Sequence, residues 1–311
     1  MGTGKNPGVM TDATLDISAI DLRFFTPPPT LAPYISTLYR LDIDSGQRPR
    51  LEDHLHPEWA NLRLVRGEAV TGAIGDAAPQ QRSRIFMSGP TSRATYFSPG
   101  NSSIWGIGLL PLGWHMFVNA DAHAYADRAV NPETDSAFAD LVAVIKRVSV
   151  DSPGCADAEA AAITDAFKAI VAQRPEPDPR IATAHTALVD DRLHSVTALA
   201  ERLAMTERSL ERFSSRVFGF PPKLLLRRQR FLRSLAQFMI DPSLRWINTL
   251  DLQYHDQAHF SRDFLRFMGM RPGDYAARPH PIMMAAAKAR MAAAGAAMQA
   301  LHKPVKTSDS D

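Results

Sequence analysis

The sequence predicts an α+β protein in two parts. A β-rich N-terminal domain, barrel- or sandwich-like and followed by helices, precedes an all-α C-terminal domain. Three observations carry this expectation. Short apolar runs between Pro and Gly clusters fill residues 17–131, and helical periodicity fills residues 180–280. Between them, residues 174–179 place a proline at every second position, which reads as a stiff, extended linker.

The charge changes sign at the same boundary. Residues 1–179 hold 15 Lys and Arg against 21 Asp and Glu, a net −6; residues 180–280 hold 16 against 10, a net +6. The last 31 residues bring the chain to +2 overall. An acidic part joined to a basic part fits a polyanion-binding domain attached to something else. With 311 residues, each part can bury its own core, and 45% hydrophobic and 22% charged residues match a soluble globular chain. The single cysteine, Cys155, excludes an intramolecular disulfide framework and favours a reducing compartment. No apolar run approaches the roughly 18 residues of a membrane span, and no basic start leads into an apolar core. The expected location is the cytoplasm, with no membrane association.

Residues 1–16 are small and polar and are expected to be disordered. Strand-like runs follow at Asn61–Val65, Arg84–Met87 and Ser103–Leu109, divided by turn signals at Pro27–Pro29, Gly72–Gly75, Gly89-Pro90 and Pro99-Gly100. Many short strands between such signals suggest a small barrel or sandwich. Within this domain His54 and His56 stand at i and i+2, on one face of a strand, with Glu58 just behind. Cupin-type barrels use such a pair, so a cupin-like metal-dependent enzyme with an accessory helical domain is the alternative reading, with His115 or His123 as third ligand. Pro57 disturbs that strand, and surface or pocket-lining roles are the expected ones, with no metal. His54, His56, Trp59 and Trp105 are the candidate lining of an effector pocket. No nucleophile motif, phosphate loop or dinucleotide fingerprint occurs, so neither catalysis nor a cofactor is expected.

Residues 132–173 switch to helical spacing, with one stripe at Phe138, Leu141, Val142 and Ile145 and another at Ala162, Ile163, Ala166, Phe167 and Ile170. After the linker, Ser195 is an N-cap for a helix with Val196, Leu199 and Leu203 inward. A turn falls at Ala204-Met205, and Thr206 caps the next helix. Leu210, Phe213 and Val217 face in; Arg208, Glu211 and Arg212 face out. Gly219-Phe220-Pro221-Pro222 then opens a long helix, about Pro222 to Ile240 and roughly 27 Å long. Lys223, Arg227 and Arg230 on it are candidate phosphate contacts. Asp241-Pro242 suits the start of a second unit through Trp246, Leu250 and Leu252. Asp256 caps a last helix with Phe260, Phe264 and Phe267 on one face and Gln257, Ala258, His259, Arg262 and Arg266 on the other. Amide and basic side chains on the leading turns suit the DNA major groove, where Gln and Arg pair bidentately with adenine and guanine edges. Residues 281–311 form an Ala- and Met-rich tail, helical to about Leu301 and disordered from Lys303.

The motifs Asp256-Gln257-Ala258-His259-Phe260-x-Arg262-Asp263-Phe264, Phe267-x-Gly269-x-x-Pro272-x-x-Tyr275 and the frame Ala200…Leu210…Gly219-x-x-Pro222 occur in order over about 100 residues. In this the chain resembles the AraC/XylS family of transcription regulators. The resemblance implies two helix-turn-helix units reading adjacent major grooves, with Thr206–Arg216 and Gln257–Phe267 as recognition helices. Thr206, Arg208, Glu211, Arg212, Arg216, Gln257, Ala258, His259, Arg262 and Arg266 become the DNA-binding residues. It also implies double-stranded DNA as partner, with a small-molecule effector, RNA polymerase and a second copy of the chain as further candidates. The family often carries Gly at the turn of each unit, whereas this chain has Ala204 and, approximately, Gln253. The second unit is also one residue short between Leu250 and Tyr254. A non-Gly residue held left-handed costs roughly 1 kcal/mol, so both turns are expected to be built differently.

Overall fold

A computed structural model describes residues 19–44, 46, 50–148, 151, 153–241, 250, 251, 254 and 256–303. The expectations for residues 1–16, for Trp246, Leu252 and Gln253, and for the tail beyond Lys303 lie outside these residues. The N-terminal region forms two antiparallel sheets that stay open, so the sandwich-like alternative applies rather than a closed barrel. Its strands are β1 (Ile20–Phe25), β2 (Ile35–Ile43), β3 (Asp53–Leu55), β4 (Ala60–Gly67), β5 (Thr71–Ile74), β6 (Gln80–Gln81), β7 (Ile85–Ser88), β8 (Thr95–Ser98), β9 (Ser102–Leu109) and β10 (Ala129–Val130). The larger sheet runs β1-β2-β9-β4-β7-β10, the smaller β3-β8-β5-β6.

Alternation along the strands sets the layers. Leu62, Leu64, Ile85, Met87, Trp105 and Ile107 pack on the helical side of the larger sheet. Leu41, Val65, Phe86 and Ile104 point the other way and meet Leu55 and Phe97 of the smaller sheet. Both faces are covered, so β4 is buried up to Gly67 although it contains Arg63 and Arg66. Tyr39 lies directly opposite Gly106, and a Cβ at Gly106 would come within 1.9 Å of the Tyr39 ring. Any larger residue there would have to displace the Tyr39 ring.

Three helices follow: α1 (Pro111–Phe117), α2 (Ala139–Ile145) and α3 (Ala156–Val171). From the expected stripes, Phe138, Leu141, Ile145, Ile163 and Phe167 are buried. Glu159 pins α3 to the sheet, accepting from Arg66 Nη2 (2.6 Å), Trp105 Nε1 (2.6 Å) and Gly154 N (2.9 Å). Burial alone would raise the Glu159 pKa, but the Arg66 and Trp105 donors outweigh it and hold the carboxyl below its usual range. Cys155, at the start of α3, is an exposed free thiol.

The C-terminal helices are α4 (Pro179–Val189), α5 (Val196–Arg202), α6 (Glu207–Phe218), α7 (Pro222–Ile240), α8 (Gln257–Met268), α9 (Pro272–Ala276) and α10 (Pro281–Ala294). The proline run ends inside α4: Asp178 is its N-cap, accepting from Arg180 N, and Pro179 occupies its first turn. Beyond α10 the tail turns back onto the β domain. Gln299 accepts from Trp59 N (2.9 Å) and donates to Ala60 O (3.0 Å), saturating the entrance of β4. Ala300 O accepts from Gln229 of α7 (2.6 Å). No helix among the described residues is long and apolar enough to cross a membrane.

Candidate nucleic-acid interface

The first unit is α5, a turn and α6. Ser195 caps α5 by accepting from Ala198 N, and Thr206 caps α6 by accepting from Ser209 N (3.2 Å). Thr197 of α5 donates to Glu207 at the head of α6 (2.6 Å), tying the helices together across the turn. The turn itself corrects the sequence expectation. Ala204 adopts φ +50°, the left-handed conformation that glycine supplies elsewhere, so the backbone keeps its shape and the alanine carries the strain. On α6, Leu210, Phe213 and Val217 are buried while Arg208, Glu211, Arg212 and Arg216 are exposed. Gly219, at φ +84°, closes the helix.

An open groove runs beside this face, lined by Arg180, Ser209, Arg212 and Arg216 and, from the β domain, by Asp121 and His123. Burial lowers the pKa of nearby His115, and the Arg216 charge lowers it further. Basic side chains of α6 therefore share the groove with groups of the N-terminal region.

In the second unit, Asp241 is the C-cap of α7; the helix start expected from Asp241-Pro242 falls on residues 242–249, which lie outside those described. Asp256 caps α8, accepting from His259 N (2.6 Å). Gln257, Ala258, Arg262 and Arg266 are exposed, and His259 is half-buried. Phe260, Phe264 and Phe267 are fully buried against Phe231 of α7.

The structure gives two of the three candidate phosphate contacts another use. Arg227 and Arg230 (2.9 Å) both pair with Asp263 of α8, whose side chain is fully buried; Tyr254 also donates to it (3.1 Å). Burial would raise the Asp263 pKa, yet its two arginine partners hold it below the usual carboxylate range. Arg230 further reaches His259 Nε2 (3.0 Å) and lies over the Tyr254 ring. Lys223 alone of the three is exposed and makes no ion pair with an acidic residue among those described. Asp263 had a signal in the sequence: it stands at i+3 from Phe260 on the apolar face, where a carboxylate needs a buried cation.

The helical domain is locked to the β domain by contacts that the sequence does not announce. Arg228 is fully buried, donates to Thr91 O (2.8 Å) and stacks 4.0 Å over Trp59; its Nε and Nη2 have no hydrogen-bond partner among the described residues. Burial pushes its pKa down to about 9. Ala94 N donates to Phe267 O at the end of α8 (2.7 Å). Tyr275 of α9 pairs with His56 Nε2 (2.7 Å) and stacks on His280, which reaches Asp53 (3.2 Å).

These contacts disperse the candidate effector residues. Trp59 lies between the domains against Phe218, His185 and Arg228; Trp105 is core, bonded to Glu159. His56 is buried against Tyr275, and burial pushes its pKa down to about 3. His54 packs on Tyr96, while Glu58 pairs with Arg63. His54, His56 and Glu58 thus keep separate protein partners, and no group of three or more His, Cys, Asp or Glu that could hold a metal occurs among the described residues.

Residues 199–278 match the family model described as "Helix-turn-helix domain". No curated protein matches the chain. Among solved structures, ToxT from Vibrio cholerae is similar at 9% identity and a TM-score of 0.42, over 83% of this chain and 98% of that one. An unsaturated fatty acid-bound ToxT from the same organism gives 8% and 0.40, over 83% and 94%. The AraC-like transcriptional activator CuxR gives 12% and 0.24, over 70% and 88%.

Proposed function

We propose that this chain, whose C-terminal region is a helix-turn-helix domain of the AraC type, is a sequence-specific DNA-binding transcription regulator. The observation that carries the reading is a pair of capped helices, α6 and α8, each with an exposed arginine-bearing face and a buried apolar one, and between them the 19-residue helix α7. At 1.5 Å per residue α7 spans about 28 Å, comparable with the roughly 34 Å between successive major grooves on one side of DNA. Thr206, Arg208, Glu211, Arg212 and Arg216 read one groove; Gln257, Ala258, His259, Arg262 and Arg266 read the next. Lys223 contacts phosphate, whereas Arg227 and Arg230 hold α8 against α7. The β domain senses an effector or dimerises. Supporting that role, its loops and the helical domain share buried contacts through which a change in one reaches the other.

The test is binding of the full chain to selected DNA fragments as salt is raised. Phosphate contacts make log K fall linearly with log salt. Arg208→Ala and Arg262→Ala should change sequence preference, while Lys223→Ala should weaken all sequences alike. Salt-independent binding, or one common effect of all three substitutions, would refute the assignment.

A further inference from the structure

A cavity of about 70 Å3 lies between the two sheets, beneath α10. Its apolar wall includes Phe24, Leu41, Phe97 and Ile282; its polar wall includes Glu58, Asn61, Arg63 and Arg290. Glu58 and Arg63 compensate each other (2.9 Å), and Arg63 also donates to Tyr39 Oη (3.1 Å) and Ser88 Oγ (3.3 Å). Arg290 shares the Glu58 charge only at a distance and makes no direct ion pair among the described residues. Its residue is 7% exposed, its Nη1 donates to Thr37 Oγ1 (2.9 Å), and its guanidinium lies 5.2 Å from the Phe24 ring centre. No carboxylate among the described residues lies within ion-pair distance of it. Asn61 is 1% exposed and donates to Glu58 Oε2 (3.3 Å), but its Oδ1 has no hydrogen-bond partner. The pocket therefore holds one buried positive charge in excess and one orphaned acceptor, both costly without a partner.

We infer that this cavity binds a short-chain hydroxycarboxylate. The carboxylate pairs with Arg290, the hydroxyl donates to Asn61 Oδ1, and the carbon chain lies against Phe24 and Phe97. A water-sized group needs about 10–15 Å3, so the space suits roughly three or four carbons with their oxygens. Because Arg290 belongs to the C-terminal tail and Asn61 to β4, the ligand joins the tail to the sandwich. It thereby strengthens the lock that His280 and Gln299 already make. This deepens the sensor reading of the β domain, and depends on that reading only for its effect on DNA binding.

The experiment is thermal denaturation and calorimetric titration of the full chain with 3-hydroxybutyrate, 3-hydroxybutyramide and butyrate. Ligand that binds only the folded chain raises Tm. The hydroxy acid should raise it, butyrate should raise it less, and the neutral amide should bind at least about tenfold more weakly, since charge-assisted pairing is lost. Arg290→Gln should abolish the acid-induced shift, and Asn61→Leu should remove the advantage of the hydroxy acid over butyrate. Equal binding of acid and amide, or none by the acid, overturns the proposal. The acid–amide comparison uses the unsubstituted chain and so decides the matter even if a variant fails to fold. A chain that binds the acid but no DNA would refute the regulator reading and leave this site standing.

Discussion

Ala204 shows how one residue can keep a motif's shape at a cost. The turn between α5 and α6 needs a left-handed residue, and this chain supplies alanine at φ +50°. Ala204→Gly should raise unfolding free energy by about 1 kcal/mol, measured by denaturant titration, with the fold unchanged. From the sequence alone the position was legible and its conformation was not, because an alanine can equally mark a turn of another type. Two buried histidines make a second prediction at this scale. Burial pushes His56 and His185 down to about 3. Both stay neutral in the folded chain, while the unfolded chain takes up protons below about 6.5. Stability should therefore fall as pH drops from about 6.5 towards 3, by up to about 1.4 kcal/mol per pH unit for each histidine. Melting temperature between pH 7 and 5 checks it; a flat profile would contradict the neutral assignment.

At the scale of elements, α7 and α8 are held together by a carboxylate more than by their shared aromatic face suggests. Asp263→Ala would leave the part-buried Arg227 and Arg230 without the carboxylate they share. Removing one partner of a fully buried pair costs about 3–5 kcal/mol; Arg227 is 36% exposed and can regain water, so denaturant titration should show a smaller loss, about 1–3 kcal/mol, and DNA affinity should fall with it. Helices were the legible part of this chain. The expected Pro222–Ile240 helix and the caps Ser195, Thr206 and Asp256 all stand where local sequence places them, because capping and periodicity act within a few residues. Strand order was not legible. β4 sits between β9 and β7, pairings that depend on distant segments. Of its two buried arginines, Arg63 finds Glu58 just ahead of the strand, whereas Arg66 depends on Glu159 arriving from α3.

For the whole molecule, the lock between domains outweighs the linker that separates them in sequence. Arg228 over Trp59, Tyr275 on His56 and Gln299 at the mouth of β4 bury side chains of one region in the other. Calorimetry should therefore show a single unfolding transition, and deleting residues 281–301 should lower and broaden it, with the two regions melting separately. The candidate site was legible in the same uneven way. The exposure of the candidate recognition residues followed from helical spacing, whereas the placement of Arg227, Arg230 and Trp59 depends on neighbours far away in the chain.

Gln299 also sets an order of events during synthesis. It bonds Trp59 N and Ala60 O, residues that leave the ribosome long before it. At roughly 5–20 residues per second, some 12–48 s separate the making of β4 from the arrival of the side chain that closes it. Through that interval the nascent sandwich has an open mouth and a bare strand entrance. The β domain, translated ahead of the helical one, is thus completed only after it, and chaperones have extended access to the edge that Gln299 finally covers.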